Sequence, residues 1–199
     1  FKRCETWEDG ASEWRGADGP LGTQWAKTDD PLFDAWLVAA AQAGYPVTDD
    51  YNGGQQEGFG RGQYTIRNGR RSSAATAFLK PAMRRGNLTV VTGAHTTRVV
   101  LEGTRARGVE YLVDGKIERA DADREVILAA GTFNTPQLLM LSGIGPAVHL
   151  ADIGIDTKVD LPVGKNLQDH LAVLLMYTRP QPGRFHREMR LDRMATSML

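Results

Sequence analysis

The hydrophobic pattern changes period several times along this chain, and each change predicts a different element. Residues 6–30 scatter Trp7, Trp14 and Trp25 among Gly and Asp without sustained periodicity, which reads as turns around one short strand near Leu21–Trp25. A helical stripe follows at Leu32, Phe33, Trp36, Leu37 and Ala40. Asp30 is a favourable N-cap for it and Pro31 a favourable first residue, while Gly44 ends it and Pro46 prevents resumption. Asp49 to Arg71 holds six glycines among mixed polar residues, and only Gln63–Arg67 reads as a strand. A loop of that length predicts a lid or pocket wall. Ser72 or Ser73 can cap a second helix over Ala74–Arg85, with Phe78, Leu79 and Met83 facing inward, Pro81 kinking it and Gly86 closing it. Leu88–Thr92 then reads as a strand.

From Thr97 the period becomes two, the alternation of antiparallel strands. Thr97–Leu101, Ala106–Val113 and Lys116–Ala120 form an expected meander, with Asp114-Gly115 as a two-residue hairpin turn. Glu125–Ala130 breaks the alternation. It is a short apolar run closed by Gly131, the pattern of a strand buried on both faces in a parallel sheet. Beyond it, Asn134 or Thr135 can cap a helix with Pro136 in its first turn, Leu138, Leu139 and Leu141 as its packing face, and Ser142-Gly143 as its end. A short helix over Pro146–Ile153, stopped by Gly154, a strand over Thr157–Leu161, a polar turn over Pro162–His170 and a strand over Ala172–Tyr177 complete the expected elements. The order implies an α/β chain, α+β overall, with an antiparallel meander inserted between strands of a doubly wound sheet. Such sheets bind ligands just outside the carboxyl ends of their strands, here at Ala129–Gly131.

Composition narrows the function classes. The chain is 41% hydrophobic and 24% charged, which permits a sizeable core. Lys+Arg and Asp+Glu are both 24, so no bulk attraction to nucleic acid is expected. No apolar run approaches the ~20 residues that span a bilayer. The single cysteine, Cys4, cannot form an internal disulfide and fits a reducing compartment. Phe1-Lys2-Arg3-Cys4-Glu5 reads as the interior of a longer protein.

Recognisable catalytic motifs are absent. His95, His149, His170 and His186 show no metal-ligand spacing, and no nucleophile elbow or G-x-x-x-x-G-K-[ST] loop occurs. Gly143-Ile144-Gly145 begins like a dinucleotide fingerprint, but Val148 stands at the third glycine position and the run follows a helix, so these glycines are a helix stop. Asn87-Leu88-Thr89 is a formal glycosylation triplet without supporting context. The Arg-rich end, Arg179 to Arg193, is interleaved with Glu188 and Asp192 and reads as a solvated face.

Gly131-Thr132-Phe133-Asn134-Thr135-Pro136-Gln137-Leu138-Leu139-Met140-Leu141-Ser142-Gly143-Ile144-Gly145 resembles the second signature of the glucose–methanol–choline (GMC) flavoprotein oxidoreductases. Asp50-Tyr51-Asn52-Gly53, Gln56–Gly60, Gly69–Ser73, Arg85–Thr89 and Leu161–His170 resemble the family in the same order, with bacterial choline dehydrogenases and FAD-linked alcohol dehydrogenases nearest in character.

The resemblance implies part of an FAD/NAD(P)-binding domain and part of a substrate domain. It implies FAD as cofactor and a primary alcohol, choline or similar, as small-molecule substrate, oxidised by hydride transfer to the flavin. Residues 1–71 would be a substrate-side or lid segment, 72–170 part of the FAD-binding domain, and 171–199 the start of a substrate-domain sheet. Thr96, Ala129, Ala130 and Gly131 would hold the cofactor. The family's phosphate loop and catalytic His are expected outside these residues, so no catalytic residue is assigned and the chain alone is expected to be inactive. A cyanohydrin lyase of the same fold and a non-catalytic remnant are the alternatives. The electron acceptor is open; the expected location is cytoplasmic, or peripheral at the inner membrane through an electron-transport partner.

Overall fold

A computed structural model describes residues 1–28, 30–178, 180 and 183. They belong to two compact units, one of Phe1–Thr89 with the chain from Tyr177 onward, the other of Val90–Met176. The boundary falls between Thr89 and Val90.

In the first unit, β1 (Glu5–Trp7) pairs in parallel with β2 (Leu21–Trp25). β2 in turn pairs antiparallel with β3 (Gln63–Tyr64). Helix α1 (Pro31–Gln42) starts as its sequence requires, with the Asp30 carboxylate accepting the Leu32 N–H at 3.1 Å and Pro31 at the first position. Of its apolar stripe only Ala40 is buried; Leu32, Phe33 and Trp36 stay substantially exposed. The expected strand Gln63–Arg67 is broken at Thr65, and its second half, β4 (Ile66–Arg67), folds back on β5 (Arg70–Arg71).

The centre of this unit is polar. Arg15, 3% exposed, forks onto Glu5 (2.7 and 3.1 Å), donates to Asp50 (3.0 Å) and Gln63 (2.8 Å), and stacks 3.9 Å from the Trp7 ring. These contacts tie β1, the glycine-rich loop and β3 together. A guanidinium suits this role because it offers five donors in a fixed plane.

The second predicted helix forms, but with a π-helical turn over Ala75–Leu79 before α2 (Lys80–Met83). The Lys80 N–H donates to the Ala75 carbonyl five residues back. Pro81 has no N–H to give, and the wider turn accommodates that gap. Phe78, Leu79 and Met83, expected to face inward, are exposed, and Ala77 is the buried residue. Leu88–Thr92 forms no strand, because no described segment pairs with it.

The second unit is built on the meander β6 (His95–Glu102), β7 (Arg105–Val113) and β8 (Lys116–Asp121). Asp114 and Gly115 both take positive φ, +50° and +75°, the backbone of a type I′ hairpin turn. Helix α3 (Gly131–Leu141) follows, then β9 (Ile144–Gly145), α4 (Ala147–Asp152) and β10 (Val159–Asp160), which pairs in parallel with β9. Leu150 of α4 is fully buried, with Leu138 of α3 and Val99 of β6 among the other buried apolar residues.

Three expectations fail in this unit. Glu125–Ala130 forms no strand and has no strand partner among the described residues, and Ile127 is 77% exposed. Helix α3 begins at Gly131, several residues before the expected cap, and carries Pro136 inside it. Thr135 still assists the start, because its hydroxyl accepts the Ala130 N–H at 3.0 Å. Ala172–Tyr177, spanning the end of this unit, is exposed and forms no strand. The Thr157–Leu161 strand is shortened to β10. His186 and most of the Arg-rich end lie outside the described residues. No helix among the described residues is long and apolar enough to cross a membrane.

Candidate functional site

A cleft of about 710 Å³ in the second unit opens between the meander, the Glu125–Ala130 run and α3. One wall is His95, Thr96, Gly108, Val109 and Ala120 from the three strands; the other is Asn134, Gln137, Leu138 and Leu141 from α3. Glu125 to Ala130 forms its floor.

Three of the four predicted cofactor residues therefore meet here. Thr96 is the second residue of β6, opposite Tyr111. Ala129 and Ala130 line the cleft, and Gly131 adjoins them as the first residue of α3. The run supplies backbone in place of reactive side chains. No backbone hydrogen bond joins Glu125–Ala129 to another described residue.

Gly131 has φ +89°, a conformation that L side chains rarely adopt, and the space a Cβ would enter is open. Two alanines lining the cleft and an open glycine beside them leave room for a bound group to approach the backbone closely.

Ordinary acid–base chemistry is sparse. Of the histidines, His95 lies at the cleft rim, while His149 on α4 and His170 in a polar turn are exposed. Among the described residues no three of His, Cys, Asp and Glu converge to hold a metal ion. The clearest electrostatic perturbation lies in the meander, where Arg98 forks onto Glu110 at 2.7 Å through both nitrogens. That hydrogen bond, with the charge behind it, holds the Glu110 carboxyl below its ordinary range and raises the Arg98 guanidinium further.

Sequence reading missed Ser142, the buried polar side chain of this unit. Its hydroxyl donates to the Leu138 carbonyl at 2.6 Å and accepts the Val99 N–H at 2.8 Å, joining α3 to β6. A serine directly after the last apolar residue of a helix was its only signal.

The family model for GMC oxidoreductase matches residues 2–172. The chain belongs to this family. It is 52% identical over 96% of its length to an oxygen-dependent choline dehydrogenase of Brucella suis, and 51% identical over 92% to one of Sinorhizobium fredii. It spans 35% and 33% of those two proteins. Among solved structures it is similar to pyridoxine 4-oxidase from Mesorbium loti, with a TM-score of 0.74 and 35% identity over 81% of this chain and 32% of that one. The GMC assignment places the cleft in an α/β flavoenzyme fold, and it accounts for the Gly131–Gly145 pattern with which the site is built.

Proposed function

We propose that this chain is part of an FAD-dependent oxidoreductase that oxidises a primary alcohol, with choline or a close analogue as substrate. The observation carrying this reading is the gathering of Thr96, Ala129 and Ala130 around one cleft with Gly131 beside it. Family membership and the printed activity of the choline dehydrogenase relatives support the substrate class. When bound, FAD supplies the hydride acceptor. The chain's own contribution is to hold and orient it. Backbone groups at Thr96 and at the Ala129–Gly131 end of the run offer donors and acceptors, the small side chains of Ala129 and Ala130 permit close approach, and Gly131 turns the chain into α3 without a side chain in the way. Residues 72–170 carry this role in the proposal; residues 1–71, with their glycine-rich loop, form the substrate-side segment, and the chain from 171 begins a substrate-side sheet.

The test is the full-length protein. It should purify with a flavin absorbance band that choline bleaches under anaerobic conditions, whereas the 199-residue chain alone, which contains no G-x-G-x-x-G phosphate loop, should be colourless. Gly131→Leu should weaken flavin retention at least about tenfold, since it combines a strained φ with a side chain aimed into open space. A colourless full-length protein, or unchanged flavin content in the variant, would count against the assignment.

A further inference from the structure

We propose that Ser142 is the positioning residue that sets the separation of the two cleft walls, an inference that rests on the FAD reading for its consequence but not for its geometry. β6 is the outer strand of the meander, so one of its edges has no strand to satisfy its amides. Val99 sits in the middle of that strand, 4% exposed, where an unpaired N–H would carry its full desolvation penalty. Ser142, also 4% exposed, supplies the missing acceptor at 2.8 Å. The single proton of the hydroxyl goes to the Leu138 carbonyl, so its orientation is determined: the Val99 N–H can only donate and the Leu138 carbonyl can only accept.

This link is well placed to control the cleft. Leu138, whose carbonyl it holds, lines the α3 wall, and Val99 lies three residues from Thr96 on the opposite wall. The β6–β7 register is irregular between Thr96 and Arg98 and again between Val100 and Leu101. The Val99 bond therefore fixes a short regular stretch between two places where the strand can bend. On the other side of Ser142, the Gly143 carbonyl accepts the Lys158 N–H at 2.8 Å and the Val159 N–H at 3.1 Å. The end of α3 is thus held from two directions, and its start, at Gly131, is the cofactor end. Across an eleven-residue helix of roughly 16 Å, a tilt of a few degrees about that end moves Gly131 by about 1 Å. Such a shift is large for groups that must meet a flat cofactor.

The test compares Ser142→Ala with Leu150→Ala in the full-length protein. Leu150 is fully buried but lines no part of the cleft, so its truncation reports general loss of stability. Ser142→Ala should raise the FAD dissociation constant about tenfold and shift the visible flavin spectrum, the scale expected for a buried hydrogen bond. Leu150→Ala should lower the melting temperature by at least as much and leave flavin affinity within about twofold. In flavin-free protein, Ser142→Ala should also speed amide exchange at Thr96 and at Ala130, whose N–H is held by Thr135, more than Leu150→Ala does. Equal effects of the two variants on affinity and exchange would make Ser142 a stability residue only and overturn the proposal. A wild-type protein that binds no FAD would defeat the cofactor reading, and the exchange comparison would still decide the role of Ser142. Should Ser142→Ala not fold, Ser142→Cys, which keeps the shape and weakens both bonds, carries the same comparison.

Discussion

The β6–β8 meander and the run Glu125–Ala130 border the same cleft, and both are rich in residues that favour strands, yet only the meander forms them. The difference is where partners come from. Each meander strand meets its neighbour through a turn of a few residues, so its ladder closes locally. A run apolar on both faces is the pattern of a parallel strand, whose neighbours come from distant parts of a chain. Among the described residues there are none beside it. The same sheet-forming chemistry therefore gives a self-sufficient platform on one side of the cleft and an open backbone on the other.

The sharpest way to break this contrast is at the platform. Gly108 of β7 lies so close to β8 that an added Cβ would stand 2.1 Å from the Ala120 carbonyl oxygen, a backbone atom that cannot swing away. Gly108→Val should cost about 3 kcal/mol, the upper range for forced overpacking, and collapse strand signals in circular dichroism. A wild-type melting curve would show that the meander is not the stabilising platform. A milder test touches only the turn. Gly115→Ala places a side chain at φ +75° and should cost about 1 kcal/mol, read as a modest fall in the urea midpoint with unchanged slope.

These two glycines also show what was legible in advance. Asp114-Gly115 was readable because a type I′ turn asks for residues that accept positive φ, and the period-two pattern on either side fixed the register by alternation. Asp30 and Pro31 were readable for the same reason, since capping chemistry is local. What failed was non-local. The run at Glu125–Ala130, Leu88–Thr92 and Ala172–Tyr177 all carry strand patterns, but a pattern states what a segment can do and not which segment stands beside it. The start of α3 moved because Pro136 was read as a first-turn residue, whereas the helix had already begun at Gly131 with Thr135 reaching back to Ala130. In the candidate site, Ala129–Gly131 follow from the strand-end pattern, while Thr96 and the cofactor itself come from family resemblance. Ser142 was missed because a buried hydroxyl bridging two elements leaves no periodic trace.

A smaller effect should come from the cross-strand pair Arg98–Glu110, which adds charge complementarity to a ladder already closed by backbone bonds. Hydrogen bonding to Arg98 holds the Glu110 carboxyl below its ordinary range. The pair's contribution is then present above the unfolded Glu value of about 4.3 and disappears as pH falls through the lower folded value. The melting temperature of the wild type should drop more steeply across that acidic window than that of Glu110→Gln. Because the pair is solvent-facing, the difference should stay below that of Gly115→Ala and shrink in high salt. Parallel pH profiles for the two proteins would show the pair to be idle.

The smallest expected effect is the most informative about the open side. Ile127 is an aliphatic residue at the centre of the apolar run, yet it is 77% exposed in this chain. If the run lacks partners here, Ile127→Ser should change the stability of the 199-residue chain by no more than about 0.5 kcal/mol, the range of surface substitutions. In the full-length protein, if the run takes its expected place as a buried parallel strand, the same change should cost about 2 kcal/mol or more, through burial of an unpaired hydroxyl and loss of apolar packing. The ratio of the two losses, measured by urea unfolding, reads how far the run depends on distant chain. Equal losses would mean that Glu125–Ala130 gains nothing from partners, and that the meander and the run differ in composition and not in where their neighbours come from.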